Sequence, residues 1–461
     1  MTRATWYALP LLLMACGGES LPMATATSTA ITHVTVIDGI NGVRPDLTVV
    51  FDRDRITALL PAGSPVDAAE IIDGSGKYLI PGLWDFHVHL TYDERLTAAM
   101  PGLFLSWGIT SVRDTGGLLE KVLPVVEAMR APDAVAPRVY FAGPLLDGEF
   151  VVYDGSAQPE IGTAVATADD ARRVVRELYD AGVSFVKVYE MVTPEVFTAV
   201  VETAKELGLP IDSHVPLAMR ASVAGPDVDS IEHLRNIELD CAADAETLHA
   251  TRLALLANPD GLPGAQLRSM LHSLQRLPAV ANYDEARCDQ TIAALSDTVM
   301  VPTLRLNSIN LAPPYRRGDW QIALSRLPAD VRDDWTAQSA SRQQQGEGDT
   351  TFAQWSLFLT GRMHSAGVPI GAGTDTPINL SVPGYSLHEE LEMLVRAGLT
   401  PLEAIAAATL QPAAWFGIED VSGSIDVGKQ ADMVLLTADP LTDIRNTRQI
   451  EMVVSKGQLV Q

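Results

Sequence analysis

Residues 79–90 read LIPGLWDFHVHL, an apolar run that ends with Asp85, His87 and His89. Such a run is typical of a buried β-strand, and side chains in a strand alternate between its two faces. The three polar residues therefore point to the same side. Buried polar groups need partners, so the two histidines form either a satisfied structural pair or part of a metal site, since neutral imidazole is a common metal ligand.

Strand-like segments recur along the middle of the chain and alternate with amphipathic segments such as DDARRVVRELYDAG. We identify eight candidate strands, at residues 83–89, 109–113, 138–142, 183–189, 210–214, 229–233, 299–304 and 368–375. The alternation predicts an α/β fold with a parallel sheet, and eight strands is the number in a (β/α)8 TIM barrel. We expect the barrel over residues 81–422, with helical excursions at about 240–298 and 305–367 on either side of the seventh strand.

Both flanks of this region contain short strands separated by Gly and Asp turns. They comprise residues 29–80 and residues 423–461. Because the two flanks are alike in character, we expect one small composite β-sandwich built from both termini.

The first residues, MTRATWYALPLLLMAC, combine Arg3 with a short apolar stretch, which predicts a signal peptide at residues 1–15. The ending Leu-Met-Ala-Cys resembles a bacterial lipobox. This resemblance implies lipidation of Cys16, followed by a linker at residues 16–28, and an ordinary signal peptide is the alternative. We therefore expect an exported lipoprotein at the outer membrane or the periplasmic face, held to the membrane by its lipid anchor.

Composition limits the partners of the chain. It has 461 residues, of which 47% are hydrophobic and 20% charged, with a formal net charge of −25. This charge argues against binding to nucleic acid. Cys241 and Cys288 lie in the first excursion. In an exported protein, two such cysteines are expected to form a disulfide rather than to remain free thiols.

Residues able to bind a metal lie at the C-terminal ends of five predicted strands, and in a barrel these ends meet at one mouth. They are His87, His89, Lys187, His214, His233 and Asp375. Each has a structural alternative: His214 can cap a strand, His233 can pair with Glu232, Asp375 can cap a turn, and Lys187 can reach solvent. Their joint position on one rim predicts a functional site.

The motifs HVH, FVKVY, SHV, IEHL and GTD, in this order, resemble those of the amidohydrolase superfamily, in its imidazolonepropionase-like and prolidase-like (Xaa-Pro dipeptidase-like) branch. GITSVRDTGG and GSIDVGKQADMVLL are similar as well. The resemblance extends over nearly all of the chain after the linker, except the two excursions. It implies a metal-dependent hydrolase.

The resemblance also implies a site with two divalent ions, with zinc as the first choice. His87, His89 and Asp375 would hold one ion, and His214 and His233 the other. Lys187 would take up CO2 and bridge both ions as a carbamate, a reaction helped by its apolar neighbours, which disfavour the ammonium form. Asp375 would also be catalytic and would carry a proton from the attacking water to the leaving amine.

The activity implied is hydrolysis of an amide bond in a small molecule, of the peptide or N-acyl amino acid type, by a hydroxide activated between two metals. Two alternatives stay open. The same ligands would suit a lactonase, esterase or phosphotriesterase, and a catalytically silent lipoprotein could bind a ligand in the same barrel. A homo-oligomer is compatible with any of the three.

Several other residues have weaker predictions. Arg113, Tyr189 and Arg305 lie near strand ends and could face the pocket, while Asp85 is expected behind the ligands. We interpret His388 as structural. Four further histidines are interpreted as surface or packing residues: His33, His249, His272 and His364.

Overall fold

The computed structural model describes residues 28–460. The predicted signal peptide at 1–15, the lipidation site Cys16 and the linker up to residue 27 lie outside these residues. Within the described range, no helix combines the length and the apolar character needed to cross a bilayer.

The strands follow one another along the chain as β1 (Ser28–Asp38), β2 (Gly42–Asp52), β3 (Arg55–Pro61), β4 (Glu70–Asp73), β5 (Tyr78–Pro81), β6 (Leu83–Val88), β7 (Ile109–Asp114), β8 (Arg138–Phe141), β9 (Leu145–Asp147), β10 (Gly162–Ala164), β11 (Val186–Val188), β12 (Ile211–Ser213), β13 (Ser230–Glu232), β14 (Val299–Val301), β15 (Met433–Leu436), β16 (Ile450–Ser455) and β17 (Gln458–Val460).

The helices are α1 (Glu94–Thr97), α2 (Met100–Ser106), α3 (Leu119–Arg130), α4 (Ala168–Asp180), α5 (Pro194–Leu207), α6 (Ala221–Ala224), α7 (Ile237–Asp240), α8 (Ala245–Leu256), α9 (Gly264–Ala281), α10 (Glu285–Ala294), α11 (Leu304–Asn307), α12 (Gly318–Leu324), α13 (Ala329–Gln345), α14 (Thr351–Ser365), α15 (Tyr385–Ala397), α16 (Pro401–Ala407) and α17 (Leu410–Trp415). Four 3-10 segments lie at Gly225–Asp227, Pro314–Arg316, Ile378–Leu380 and Ile444–Arg448.

Parallel strands form the wall of a barrel. β6, β7 and β8 pair in that order, and β9, β11, β12, β13 and β14 form the next part of the wall. The eighth predicted strand, at 368–375, is not a regular strand. It nevertheless closes the barrel through parallel bridges from Ile370 to Met300 of β14 and from Thr376 to Val88 of β6.

Close backbone contact explains the irregular eighth strand. A Cβ atom at Gly373 would lie 2.7 Å from the Cβ of His87, so the segment passes directly against β6 where only glycine fits. The third predicted strand, 138–142, is also interrupted. It ends at Phe141, turns at Gly143 with φ of 77°, and resumes as β9, whose Leu146 pairs with Val188 of β11.

The two ends of the described chain form one eight-stranded sheet in the order β17-β16-β15-β5-β1-β2-β3, with β4 beside β1. β5 and β15 join the two ends, with Leu79 opposite Leu435. Apolar side chains from both ends share a core that includes Ile31, Phe51 and Met433. The predicted fold class, a (β/α)8 barrel with a composite β-sandwich, is thus confirmed.

Both predicted excursions contain helices. The first carries α8, α9 and α10, and the second carries α11 to α14. A disulfide joins Cys241, at the end of α7, to Cys288 in α10. The disulfide therefore closes the segment that carries α8 and α9 onto itself.

Candidate metal centre

A cavity of about 470 Å³ opens at the C-terminal ends of the barrel strands. All six predicted ligands line it: His87, His89, Lys187, His214, His233 and Asp375. None of these residues is more than 5% exposed. The structure thus brings together at one site residues that are separated by up to 288 positions in the sequence.

Unusual backbone conformations direct several side chains into this cavity. His233, Thr303 and Asp375 follow three consecutive strand positions of the barrel and have φ values of 63°, 43° and 62°. Non-glycine residues in this left-handed region cost about 1–3 kcal/mol each, and such conformations cluster at functional sites. At these strand ends the backbone therefore adopts a conformation that its own residues disfavour and that directs the side chains into the cavity.

Each of the four histidines is held by its Nδ1 atom. His87 Nδ1 lies 2.5 Å from Glu232 Oε2, and His89 Nδ1 lies 3.1 Å from the carbonyl of Gly116. His214 Nδ1 lies 2.8 Å from Glu190 Oε1, and His233 Nδ1 lies 2.6 Å from Thr303 Oγ1. Metal-binding histidines are commonly oriented in this way, because the outer partner fixes the ring and leaves Nε2 for the ion.

The Nε2 atoms of two of these rings, His87 and His89, lie close to Asp375. Its Oδ1 lies 3.2 Å from His87 Nε2 and 3.1 Å from His89 Nε2. One ligand atom each of His87, His233 and Asp375 also lies within 4.8 Å of the others. Two ligand atoms on a tetrahedral zinc are about 3.3 Å apart at bond lengths of 2.0–2.1 Å, so the donor set and its spacing fit a divalent metal.

The spacing differs in one respect from the predicted division of ligands between two ions. His233, predicted to hold the second ion with His214, groups with His87 and Asp375. The rings of His214 and His233 have centroids 4.7 Å apart. His233 therefore lies between the two predicted ligand sets.

Lys187 is buried beside these histidines, and its Nζ donates a hydrogen bond to Asp212 Oδ2 at 2.8 Å. The alternative in which this lysine reaches solvent is therefore wrong, because the side chain is 1% exposed. Burial, followed by the charge of Lys187, lowers the pKa of His214 to about 3. The His214 ring is thus neutral at pH 7, donates from Nδ1 to Glu190 and keeps a lone pair on Nε2.

A polar layer inside the barrel supports the ligands from below. Arg113 lies in this layer, where its guanidinium contacts Glu232 Oε1 at 2.5 Å and Ser230 Oγ at 3.0 Å. Glu232 in turn holds His87, so it is not the partner of His233. Burial by itself lowers the pKa of His87, but the carboxylates of Glu232 and Asp375 outweigh it and raise that pKa to about 9.

Three residues near strand ends were predicted to face the pocket: Arg113, Tyr189 and Arg305. Of these, only Tyr189 lines the cavity. Arg113 does not face the pocket, because its donors are used within the barrel. Arg305 is also directed away and donates to the carbonyls of Ile378 and Asn379. Asp85 lies behind the ligands, where it accepts hydrogen bonds from the backbone N–H and hydroxyl of Thr374.

The interpretation of His272 as a residue outside the site is wrong. Its Nε2 lies 2.8 Å from Glu190 Oε2, and Arg268 donates to Glu190 Oε1 at 2.8 Å. Arg268 and His272 are one turn apart on α9, and Glu190 connects both to His214. Sequence reasoning missed this group because α9 belongs to an excursion whose packing on the barrel has no local signal.

The comparisons with known proteins agree with this geometry. The amidohydrolase family model matches residues 359–460. The imidazolonepropionase of Symbiobacterium thermophilum is 34% identical over 103 residues, which are 22% of this chain and 24% of that protein. The C-terminal part of the chain is therefore similar to the amidohydrolase family. The matched segment spans about a quarter of the length of this curated relative.

Solved structures resemble the chain over most of its length. A Xaa-Pro dipeptidase with bound methionine in the active site has a TM-score of 0.67 at 21% identity and covers 94% of this chain and 100% of its own. Bottromycin amidohydrolase has a TM-score of 0.68 at 24% identity and covers 94% of this chain and 87% of its own. These likenesses establish the shared fold.

Proposed function

We propose that the protein is a metal-dependent hydrolase that cleaves an amide bond, of the peptide or N-acyl amino acid type. One observation carries the proposal. Four buried histidines have Nδ1 occupied by an outer partner and direct their other ends toward one cavity, which also contains Asp375. Four rings oriented in this way are more than a packed core needs, and they are the usual arrangement of a metal centre.

Two divalent ions are the proposed cofactor, with zinc favoured by imidazole and carboxylate donors. The proposed ligands are the predicted six: His87, His89, Lys187 as a carbamate, His214, His233 and Asp375. Ions bound there would supply Lewis acidity toward the substrate carbonyl and toward the attacking water. Lys187 lines the same cavity as the other five residues and is 1% exposed, which supports its inclusion in the ligand set.

The other parts of the reaction belong to residues of the chain. The contacts of Asp375 with His87 and His89 both involve Oδ1, which leaves Oδ2 as the proposed acceptor of the proton from water and its donor to the leaving amine. Glu232, Glu190 and Thr303 hold three of the rings in place. Burial of the site keeps bulk water from competing with the substrate.

The amide specificity rests on the relatives. The superfamily match and the likeness to a Xaa-Pro dipeptidase support a C–N bond as the target. The test is a screen of the zinc-loaded chain against dipeptides, N-acyl amino acids, lactones and carboxylic esters. We expect turnover of at least one amide and its loss after chelation. Hydrolysis of lactones or esters without any amide would contradict the proposal.

Lys187→Ala tests the bridging role of the lysine. We expect the bound metal, measured by mass spectrometry of the protein digest, to fall from about two ions per chain to one or fewer, with at least about 100-fold less activity. Lys205→Ala is the matched control, since this lysine is exposed on α5 and pairs loosely with Asp227 at 3.6 Å. Full metal content in Lys187→Ala would show that the lysine is not a ligand.

A further inference from the structure

The cavity beside the metal centre contains one arginine without a counter-charge. Four cationic side chains line it: Arg95, Lys187, Arg235 and Arg268. Arg95 pairs with Asp93 and Asp334, Lys187 with Asp212, and Arg268 with Glu190. Arg235 makes no hydrogen bond or ion pair with any residue of the described range, and its Nε is buried without a partner.

A strained turn fixes the position of Arg235. It follows β13, two residues after His233, and its neighbours His233, Leu234 and Asn236 have φ values of 63°, 59° and 70°. Three left-handed residues in a turn of four cost several kcal/mol, at about 1–3 kcal/mol each, and persist only where the surroundings enforce them.

Hydrogen bonds from other elements enforce this turn. Asn307 Nδ2 donates to the carbonyl of His233 at 3.0 Å, and Asn236 Nδ2 donates to the carbonyl of Val215 at 3.0 Å. Arg252, itself buried, donates to Asn236 Oδ1 at 2.9 Å. The backbone of Arg235 is thus held in place two residues after the proposed ligand His233.

We propose that Arg235 binds a carboxylate of the substrate and thereby selects amides that carry a free carboxylate close to the scissile bond. This proposal rests on the proposed function, because it assigns the substrate class to the same cavity. A partly buried guanidinium has lost part of its hydration, and without a counter-ion no other group replaces those interactions. A substrate carboxylate can replace them through two parallel hydrogen bonds. The phenols of Tyr153 and Tyr189 lie near enough to Arg235 for its positive charge to oppose the rise in their pKa that burial causes. An aromatic wall therefore lies beside the proposed anion position.

The carboxylate can belong to the amine side or to the acyl side of the amide. Two substrate pairs distinguish these sources. N-acetyl amino acids are compared with N-acetyl amino alcohols of the same side chain, and N-succinyl amines are compared with N-butanoyl amines. Within each pair the scissile amide is the same and only the carboxylate differs.

We expect the zinc-loaded wild type to prefer the acid in one of the two pairs by about 10- to 100-fold in kcat/KM, the range for a hydrogen-bonded charge pair. Arg235→Met should remove this preference and Arg235→Lys should retain part of it, because lysine cannot form the bidentate contact. Arg95→Met is the matched control. It removes a cation of the same cavity that is already paired, and it should leave the preference unchanged.

Binding of inert compounds gives a second readout that does not depend on turnover. Free amino acids and the corresponding amino alcohols contain no amide bond, and calorimetry with the metal-loaded protein compares their affinities. For an amine-side carboxylate, we expect tighter binding of the acids by wild type and loss of that difference in Arg235→Met.

The outcomes separate the two proposals. Amide hydrolysis without an acid preference in either pair, or with a preference that Arg235→Met retains, overturns the role of Arg235 and leaves the proposed function intact. Preferential binding of acids through Arg235 without hydrolysis of any amide supports the anion site and contradicts the proposed function.

Discussion

Thr303 shows, at the scale of a single residue, how an outer partner would orient one histidine of the proposed metal centre. Its hydroxyl lies 2.6 Å from His233 Nδ1, and it is itself fully buried with φ of 43°. A ligand histidine that loses its outer partner keeps its ring but not its fixed orientation. The contribution of Thr303 is therefore expected in metal affinity rather than in overall folding.

Thr303→Val tests this expectation, because valine keeps the β-branched shape and removes only the hydroxyl. We expect metal affinity, measured by competition with a chelator, to fall by about 10- to 100-fold. Thr110→Val is the matched control, since Thr110 is a fully buried barrel residue whose hydroxyl has no partner in the described structure. Equal affinities of the two variants would contradict the role given to Thr303.

At the scale of an element, α9 is the part of the first excursion that reaches the metal centre. Arg268 and His272 lie on one face of this helix and contact the two oxygens of Glu190, which holds His214. The Cys241–Cys288 disulfide closes the segment that contains α9. The metal binding proposed at His214 is therefore expected to depend on the docking of an element outside the barrel.

His272→Ala is the test of this dependence. Burial lowers the pKa of His272 to about 3, so the ring is neutral at pH 7 and acts on Glu190 through Nε2 rather than through a full charge. We expect about 10-fold weaker binding of the ion at His214, measured by chelator competition. His249→Ala, on the neighbouring α8, should bind metal as the wild type does. If both variants lose affinity equally, general loosening of the excursion is the cause.

The elements also show what could be predicted from the sequence. Seven of the eight barrel strands lie where the pattern of apolar residues predicted them. A buried strand can be recognised in this way because its own residues are apolar. The eighth segment was predicted as a regular strand, and its irregular course was not foreseen, since the close approach of Gly373 to His87 joins distant parts of the chain. The same reason hid the partners of the histidines: Glu232 is 145 positions from His87, and Thr303 is 70 from His233.

At the scale of the whole molecule, charge is distributed unevenly. The chain carries a net charge of −25, yet its central cavity contains an arginine without a counter-ion. A uniformly acidic protein would repel an anionic substrate, so attraction has to be local and short-range, within about 8 Å at physiological ionic strength. The unpaired arginine would therefore attract the substrate within the cavity, whereas the net negative charge of the chain favours solubility.

His388 connects the barrel to the β-sandwich built from both ends of the chain. From α15, its Nε2 donates to the carbonyl of Trp107 at 2.9 Å, and its Nδ1 lies 2.9 Å from Thr447 Oγ1, in the segment that leads into β16. The structural interpretation of this histidine agrees with both contacts. Burial, followed by the charge of Arg448, lowers its pKa from 6.5 to about 3.

The stability of the molecule should depend on pH through this residue. Between pH 6.5 and 3 the unfolded chain binds a proton at His388 that the folded protein excludes, so the free energy of unfolding falls as the pH falls, by up to about 1.4 kcal/mol per pH unit. His388→Gln keeps a donor for Trp107 but cannot titrate, so its stability should depend less steeply on pH between 6 and 4. Urea denaturation at several pH values measures both slopes.

The control His33→Gln changes a surface histidine, with 48% of its side chain exposed, and should retain the wild-type slope. If His388→Gln shows the wild-type slope as well, the junction between the barrel and the β-sandwich does not depend on a neutral His388.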